Sequence, residues 1–282
     1  MDYESIYHKM TGGLRMFRGF AKFDKDYSDK TNQDNVRLPI MANMYWSMAY
    51  EDKYFHIPEF DAFVSRYQKE AMALNAPFMD SALQCYQIEK DDPYALYKME
   101  RCFASRAKKA FPSFTRDQAM ITRLGDPRYG KLRILYDSAL DTMWKIDAVV
   151  IFEDGGVCGL GFFLNTPDGR AKYETHLARL AKWGRGHGNL PVHKVEIGET
   201  CAFNGRSFPC DKDELERTNL FLPMEAFVDC LMEEIRKLPR PSLEDLTSTG
   251  VMGPKESIEK VNAGQETRWP SVILRGLRAL TS

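Results

Sequence analysis

Asp147 stands inside the apolar run MWKIDAVVIF, two residues after Lys145. A carboxylate in such a run is costly unless a metal ion, a cation or backbone donors meet it. The unremarkable answer is a strand aspartate near a sheet end, paired with Lys145, Arg133 or a backbone amide. The other answer is that the carboxylate does chemistry. Further along, Lys172, His176, Arg179 and Trp183 recur at i, i+4, i+7 and i+11, and so share one face of any helix that carries them. Arg170, Lys182 and Arg185 add charge to that segment, and GRGHGN adds a glycine loop whose amides can approach phosphate closely. Cations interleaved with aromatic rings suit a polyphosphate backbone, because neutralised phosphates release counterions and stacking adds sequence-tolerant affinity.

The charge is uneven although the net charge is −1. Lys98 to Arg133 holds ten basic residues, Lys108 and Lys109 among them, against three acids; Asp211 to Asp245 holds ten acids against five bases. Any attraction to nucleic acid is therefore local, not global. The five histidines show no metal-binding spacing. Neither a serine-hydrolase elbow nor a phosphate-binding glycine loop is present. The six cysteines are scattered and form no CxxC pair; Cys201, Cys210 and His193 match no zinc ribbon or finger. No apolar run approaches the roughly 20 residues that span a bilayer. MDYESIYHKM lacks the basic-then-apolar order of a signal peptide, so a cytoplasmic protein without membrane contact is expected.

The elements that must position these groups follow from periodicity. Residues 1–38, rich in Asp, Lys, Asn and Gly, read as a mobile arm or surface loop. Residues 39–111 repeat large apolar groups at three and four residue steps, the pattern of packed helices, with Met and aromatic side chains filling the contacts. From Lys131 the period changes: KLRILYDS, MWKIDAVVIF and VCGLGFFLNT are strand-like runs, the last two joined by an EDGG hairpin. Thr166 and Pro167 then start a helix with Tyr173, Leu177 and Leu180 on its apolar stripe. LPVHKVEIG reads as a fourth strand, and CAFNGRSFPC as a hairpin about Asn204-Gly205. The expected fold class is α+β, or α/β, with a core over 92–210. A C-terminal helix over 211–238 follows, then a linker and a basic, apolar tail over 239–282, which either docks elsewhere or packs back.

Over about 92–197 the order helix, strand, strand, strand, helix, strand resembles the αβββαβ core of the restriction-endonuclease-like, PD-(D/E)XK, superfamily. Asp147 matches the strand aspartate of that motif. The resemblance implies an acid on the next strand and a lysine two residues later, and there the sequence departs: Phe163 and Asn165 stand in those places, and Val157 to Thr166 contains no Asp, Glu or Lys. The resemblance would also allow an acid from the preceding helix, Glu100. An active enzyme would then use Asp147, Glu100 and Lys145 as catalytic residues and hold Mg²⁺ through Asp147 and Glu153; otherwise no cofactor is implied. The first expectation is a pseudo-nuclease: a nucleic-acid-binding or scaffolding protein, DNA in preference to RNA. Arg170, Lys172, His176, Arg179, Lys182, Trp183, Arg185, Lys108 and Lys109 would form its contact surface. It would work with protein partners in an assembly such as those of mobile elements or phage defence. The alternatives are an active metal-dependent DNA endonuclease and a protein-protein interaction subunit without nucleic-acid contact.

Overall fold

The computed structural model describes residues 40–50, 56–74, 76–137, 140–182, 186–218, 220–247, 254–263 and 271–275. Trp183, Arg185 and the 1–38 segment lie outside them. The chain divides into two compact units, one helical and ending at Thr115, the other mixed and beginning at Arg116. Among the described residues no helix is long and apolar enough to cross a membrane.

The helical unit contains α1 (Ile40–Tyr50), α2 (Phe60–Met72), α3 (Ala76–Cys85) and the first part of α4 (Ala95–Leu124). Its methionines and aromatics are core: Met41, Met44, Met99, Tyr45, Trp46, Phe63 and Phe111 are all buried. Tyr45 meets Phe63 and Phe111 edge-on and stacks on Phe114 at 5.1 Å, while its hydroxyl donates to Thr115 Oγ1. α4 continues through Pro112 for twelve further residues, past the expected limit of 111. An interior proline costs about 3 kcal/mol, and burial on both sides of it outweighs that: Phe111 and Thr115 before the unit boundary, Gln118 to Ile121 after it.

The second unit is α+β. Its strands are β1 (Arg133–Asp137), β2 (Ala148–Ile151), β3 (Val157–Leu164), β4 (Val192–Ile197), β5 (Thr200–Phe203), β6 (Arg206–Pro209) and β7 (Ser271–Arg275). They form one mixed sheet in the order β6-β5-β4-β3-β2-β1-β7. β2 and β3 are buried nearly throughout, which is why both read as continuous apolar runs without alternation. They pair antiparallel, Val149 with Gly159 and Ile151 with Val157. The chain then crosses through α5 (Pro167–Lys182) and returns parallel to β3 as β4. Thr166 caps α5 by accepting from the Gly169 amide at 3.0 Å. Asn204 and Gly205, with φ of 47° and 78°, make the tight β5–β6 hairpin.

The segment 239–282, expected as linker and tail, contributes structure. α6 (Lys212–Thr218) and α7 (Glu225–Lys237) are followed by α8 (Pro254–Asn262), whose Ile258 and Val261 join Leu135, Val149, Ile151 and Val157 in one buried cluster. β7 then pairs antiparallel with β1, Ile273 opposite Leu135. An unpaired β1 would present a row of open backbone groups, and β7 covers it.

Candidate functional site

The site grows from the chain between β1 and β2. Asp137, buried at the end of β1, accepts from the Leu140 amide at 3.2 Å and starts a single π-helical turn, Leu140–Trp144. The Lys145 amide closes it on the Asp141 carbonyl. Lys145 itself adopts φ 58°, a left-handed conformation that costs a non-glycine residue about 1 kcal/mol or more. π turns and backbone strain of this kind concentrate at functional sites. Lys145 Nζ donates to the Asp141 carbonyl at 3.2 Å and lies 4.0 Å from its carboxylate, and the Tyr136 hydroxyl approaches Asp141 Oδ2 at 3.4 Å.

Two residues on, Asp147 sits at a bend just before β2. Its amide donates to the Leu160 carbonyl, and its Oδ2 accepts from the Phe162 amide at 2.6 Å, so the carboxylate is clipped across the backbone of Gly161. Burial pushes Asp147 well above the usual carboxylate range; the charges of Asp141 and then Asp117 push it further, against the Phe162 amide and Lys145. Asp117 comes from the last turns of α4. Burial raises its carboxyl to about 6, with Asp141 adding to the rise and Arg116 opposing it. The Arg116 guanidinium, itself buried, holds Asp117 Oδ1 through Nε and Nη2 at 3.2 and 3.1 Å. Three aspartates, one from α4 and two from the β1–β2 connection, thus repel one another, with Lys145 and Arg116 as the neighbouring cations. The side chains of Asp117, Asp141 and Lys145 keep 13, 23 and 17 % of their surface exposed, so the group is partly open to solvent.

The β3 side of the site is aromatic. Gly161 has no side chain, and the Tyr173 hydroxyl of α5 stands 2.5 Å from where its Cβ would be. Phe163 stacks on Tyr173, ring centroids 4.7 Å apart. Asn165 belongs to the scaffold: Nδ2 donates to the Thr200 carbonyl at 2.8 Å and Oδ1 accepts from Arg170 at 2.6 Å.

Of the acids expected beside Asp147, Glu153 is placed elsewhere in the same unit: it lies past the far end of β2, where its carboxylate accepts from the Lys131 amide. Glu100 belongs to the helical unit and is exposed. Lys145, in the same unit as Asp147, is brought to it. Asp117, Asp141 and Tyr173 are the residues that sequence reasoning passed over. A signal existed for one: Asp137, Asp141 and Lys145 recur at four-residue steps between two strands.

Of the expected nucleic-acid surface, Arg170 pairs with Glu196 at 2.7 Å and Lys172 with Asp168 at 3.1 Å. His176 is half-buried. Arg179 and Lys182 are exposed on α5, with no ion pair among the described residues. Lys108 and Lys109 are half-buried in the helical unit.

All-oxygen donors suit Mg²⁺, which takes one or two carboxylates together with waters and substrate phosphate. Among the described residues no three His, Cys, Asp or Glu side chains stand so as to hold a metal ion by themselves. The donors are oxygens of the kind Mg²⁺ takes together with water and phosphate, and no closed metal site stands among the described residues. No family model, no curated protein and no solved structure matches the chain.

Proposed function

We propose that the α/β unit is a nuclease-like module that hydrolyses phosphodiester bonds of nucleic acid, DNA in preference to RNA, at the site of Asp117, Asp141, Asp147 and Lys145. The observation that carries this reading is the convergence of three mutually repelling aspartates and a lysine at the approach to a central strand. Carboxylates whose burial and like charges raise their pKa are the groups a divalent cation relieves, and such perturbed clusters mark functional sites. Bound Mg²⁺ would supply an activated water and a clamp on phosphate oxygens. The chain's part is to hold the cation through Asp147 with Asp141 or Asp117, and to set the Lys145 ammonium against the phosphate charge. The helix, strand, strand, strand, helix, strand order of α4 to β4 supports the restriction-endonuclease-like assignment.

A second reading, binding or scaffolding without cleavage, is favoured by one observation: β3 offers neither acid nor lysine, and an aromatic pair fills the space beside Gly161. Incubation of the protein with DNA or RNA and Mg²⁺ or Mn²⁺, beside Asp147→Ala, separates the two. Metal-dependent cleavage lost in the variant is expected. Binding without cleavage by the wild type would leave the scaffolding reading.

A further inference from the structure

Gly161 is the point where Asp147, the Lys145 carbonyl and Tyr173 meet. A Cβ there would lie 3.2 Å from the Lys145 oxygen and 2.5 Å from the Tyr173 hydroxyl, so the hydroxyl occupies the volume that a β3 side chain would fill. The ring that carries it is held firmly. It is buried, stacks on Phe163 at an interplanar angle of 21°, and has Lys194 Nζ 5.5 Å from its centroid. Among the described residues this hydroxyl makes no hydrogen bond. It is therefore a donor on a firmly held ring, placed beside Gly161 and near the Lys145 carbonyl.

We propose that the Tyr173 hydroxyl, delivered from α5, is the donor that faces the substrate phosphate beside Asp147, in the role a lysine on β3 would otherwise take. The inference rests on the phosphodiesterase reading above. A phenol keeps its proton at neutral pH, so the hydroxyl acts as a donor, not a base. A phosphate oxygen arriving at the site accepts this hydrogen bond as negative charge builds on it. No proton leaves the tyrosine. A preorganised neutral donor serves this purpose because it is worth more in an enclosed site than in water.

The test uses the full chain in single-turnover cleavage with Mn²⁺, with affinity measured separately by anisotropy on the same nucleic acid. Tyr173→Phe keeps the stack on Phe163 and removes only the hydroxyl. It should slow cleavage about 100-fold, the scale of losing one such donor, with the Kd changed by less than about threefold and the melting temperature unchanged. Gly161→Ala, whose Cβ displaces the hydroxyl, should lose rate in the same way while retaining the tyrosine. A purely structural tyrosine would lower rate, affinity and melting temperature together, and that result overturns the proposal. So does wild-type cleavage by Tyr173→Phe when Asp147→Ala is inert, an outcome that leaves the phosphodiesterase reading standing. A wild type that cleaves no nucleic acid, or an Asp147→Ala variant as fast as wild type, overturns both.

Discussion

Replacing Asp141 by Asn should make the protein more stable at neutral pH, which is unusual for a change at a partly buried, bonded residue. Asp117 is raised from 3.8 to about 6 in the folded chain. A folded carboxyl pKa above the unfolded one means that the native state binds more protons between those values, so stability falls as pH rises from about 4 to 6. At about 1.4 kcal/mol for each pH unit between the two values, the full effect is about 3 kcal/mol. Burial is its largest cause and Asp141 the neighbouring charge that adds to it. Asp147 is raised in the same direction, with Asp141 its largest charged contributor. If Asp141 accounts for about a third of the Asp117 effect, Asp141→Asn recovers about 1 kcal/mol there at pH 7.5, and relief of Asp147 acts in the same direction. From this about 0.5 kcal/mol is lost with the Lys145 attraction, which acts at 4.0 Å and is partly exposed. The net gain from Asp117 alone is about 0.5 kcal/mol at pH 7.5, fading as pH falls through 6 toward 4, and Asp147 adds to it in the same direction. Urea unfolding of wild type and variant at half-unit intervals from pH 4 to 8 reads it directly. A variant less stable than wild type at pH 7.5, or a difference that does not change with pH, would refute the mutual repulsion on which the site is built.

Cleavage should rise with pH from 5 to above 7, because Asp117 and Asp147 must be ionised to hold a cation and both ionise late; a rate constant flat across that range would remove them from the mechanism. Arg179→Glu with Lys182→Glu should weaken nucleic-acid binding and flatten its salt dependence by about 1.8 in log–log slope if each cation neutralises one phosphate. An unchanged slope would show that α5 is not the contact surface. Asn165→Ala should cost about 1 kcal/mol by removing its bonds to Thr200 and Arg170, with no change in cleavage rate. Loss of cleavage without loss of stability would place Asn165 in the site after all.

The strands were legible because β1, β2 and β3 are buried on both faces and so appear as short apolar runs, and α5 because Thr166, Pro167 and the Tyr173–Leu180 stripe obey local rules. The helical region was expected to end at 111, whereas α4 runs on through Pro112, whose local cost is outweighed by burial on both sides of it. β7 was hidden because its partner is β1, more than a hundred residues earlier, and nothing local marks an edge that needs covering.

The aspartate site divides along the same line. Asp147 announced itself, since a carboxylate in an apolar run has to be accounted for, and Lys145 came with it. Its companions did not. Asp117 looked like one acid in a basic stretch, Asp141 sat in a turn whose π-helical period matches neither a strand nor an ordinary helix, and Tyr173 was counted with the apolar stripe. Glu153 was equally plausible by spacing and stands past the far end of β2. Sequence alone therefore determined the order of elements and the one residue that burial makes costly, because both depend on side chains within a few positions of each other. Which acids meet Asp147, and that a tyrosine fills the vacancy at Gly161, was decided only by tertiary structure. Those contacts depend on strand register and on where α4 and α5 cross the sheet, neither of which leaves a period in the chain.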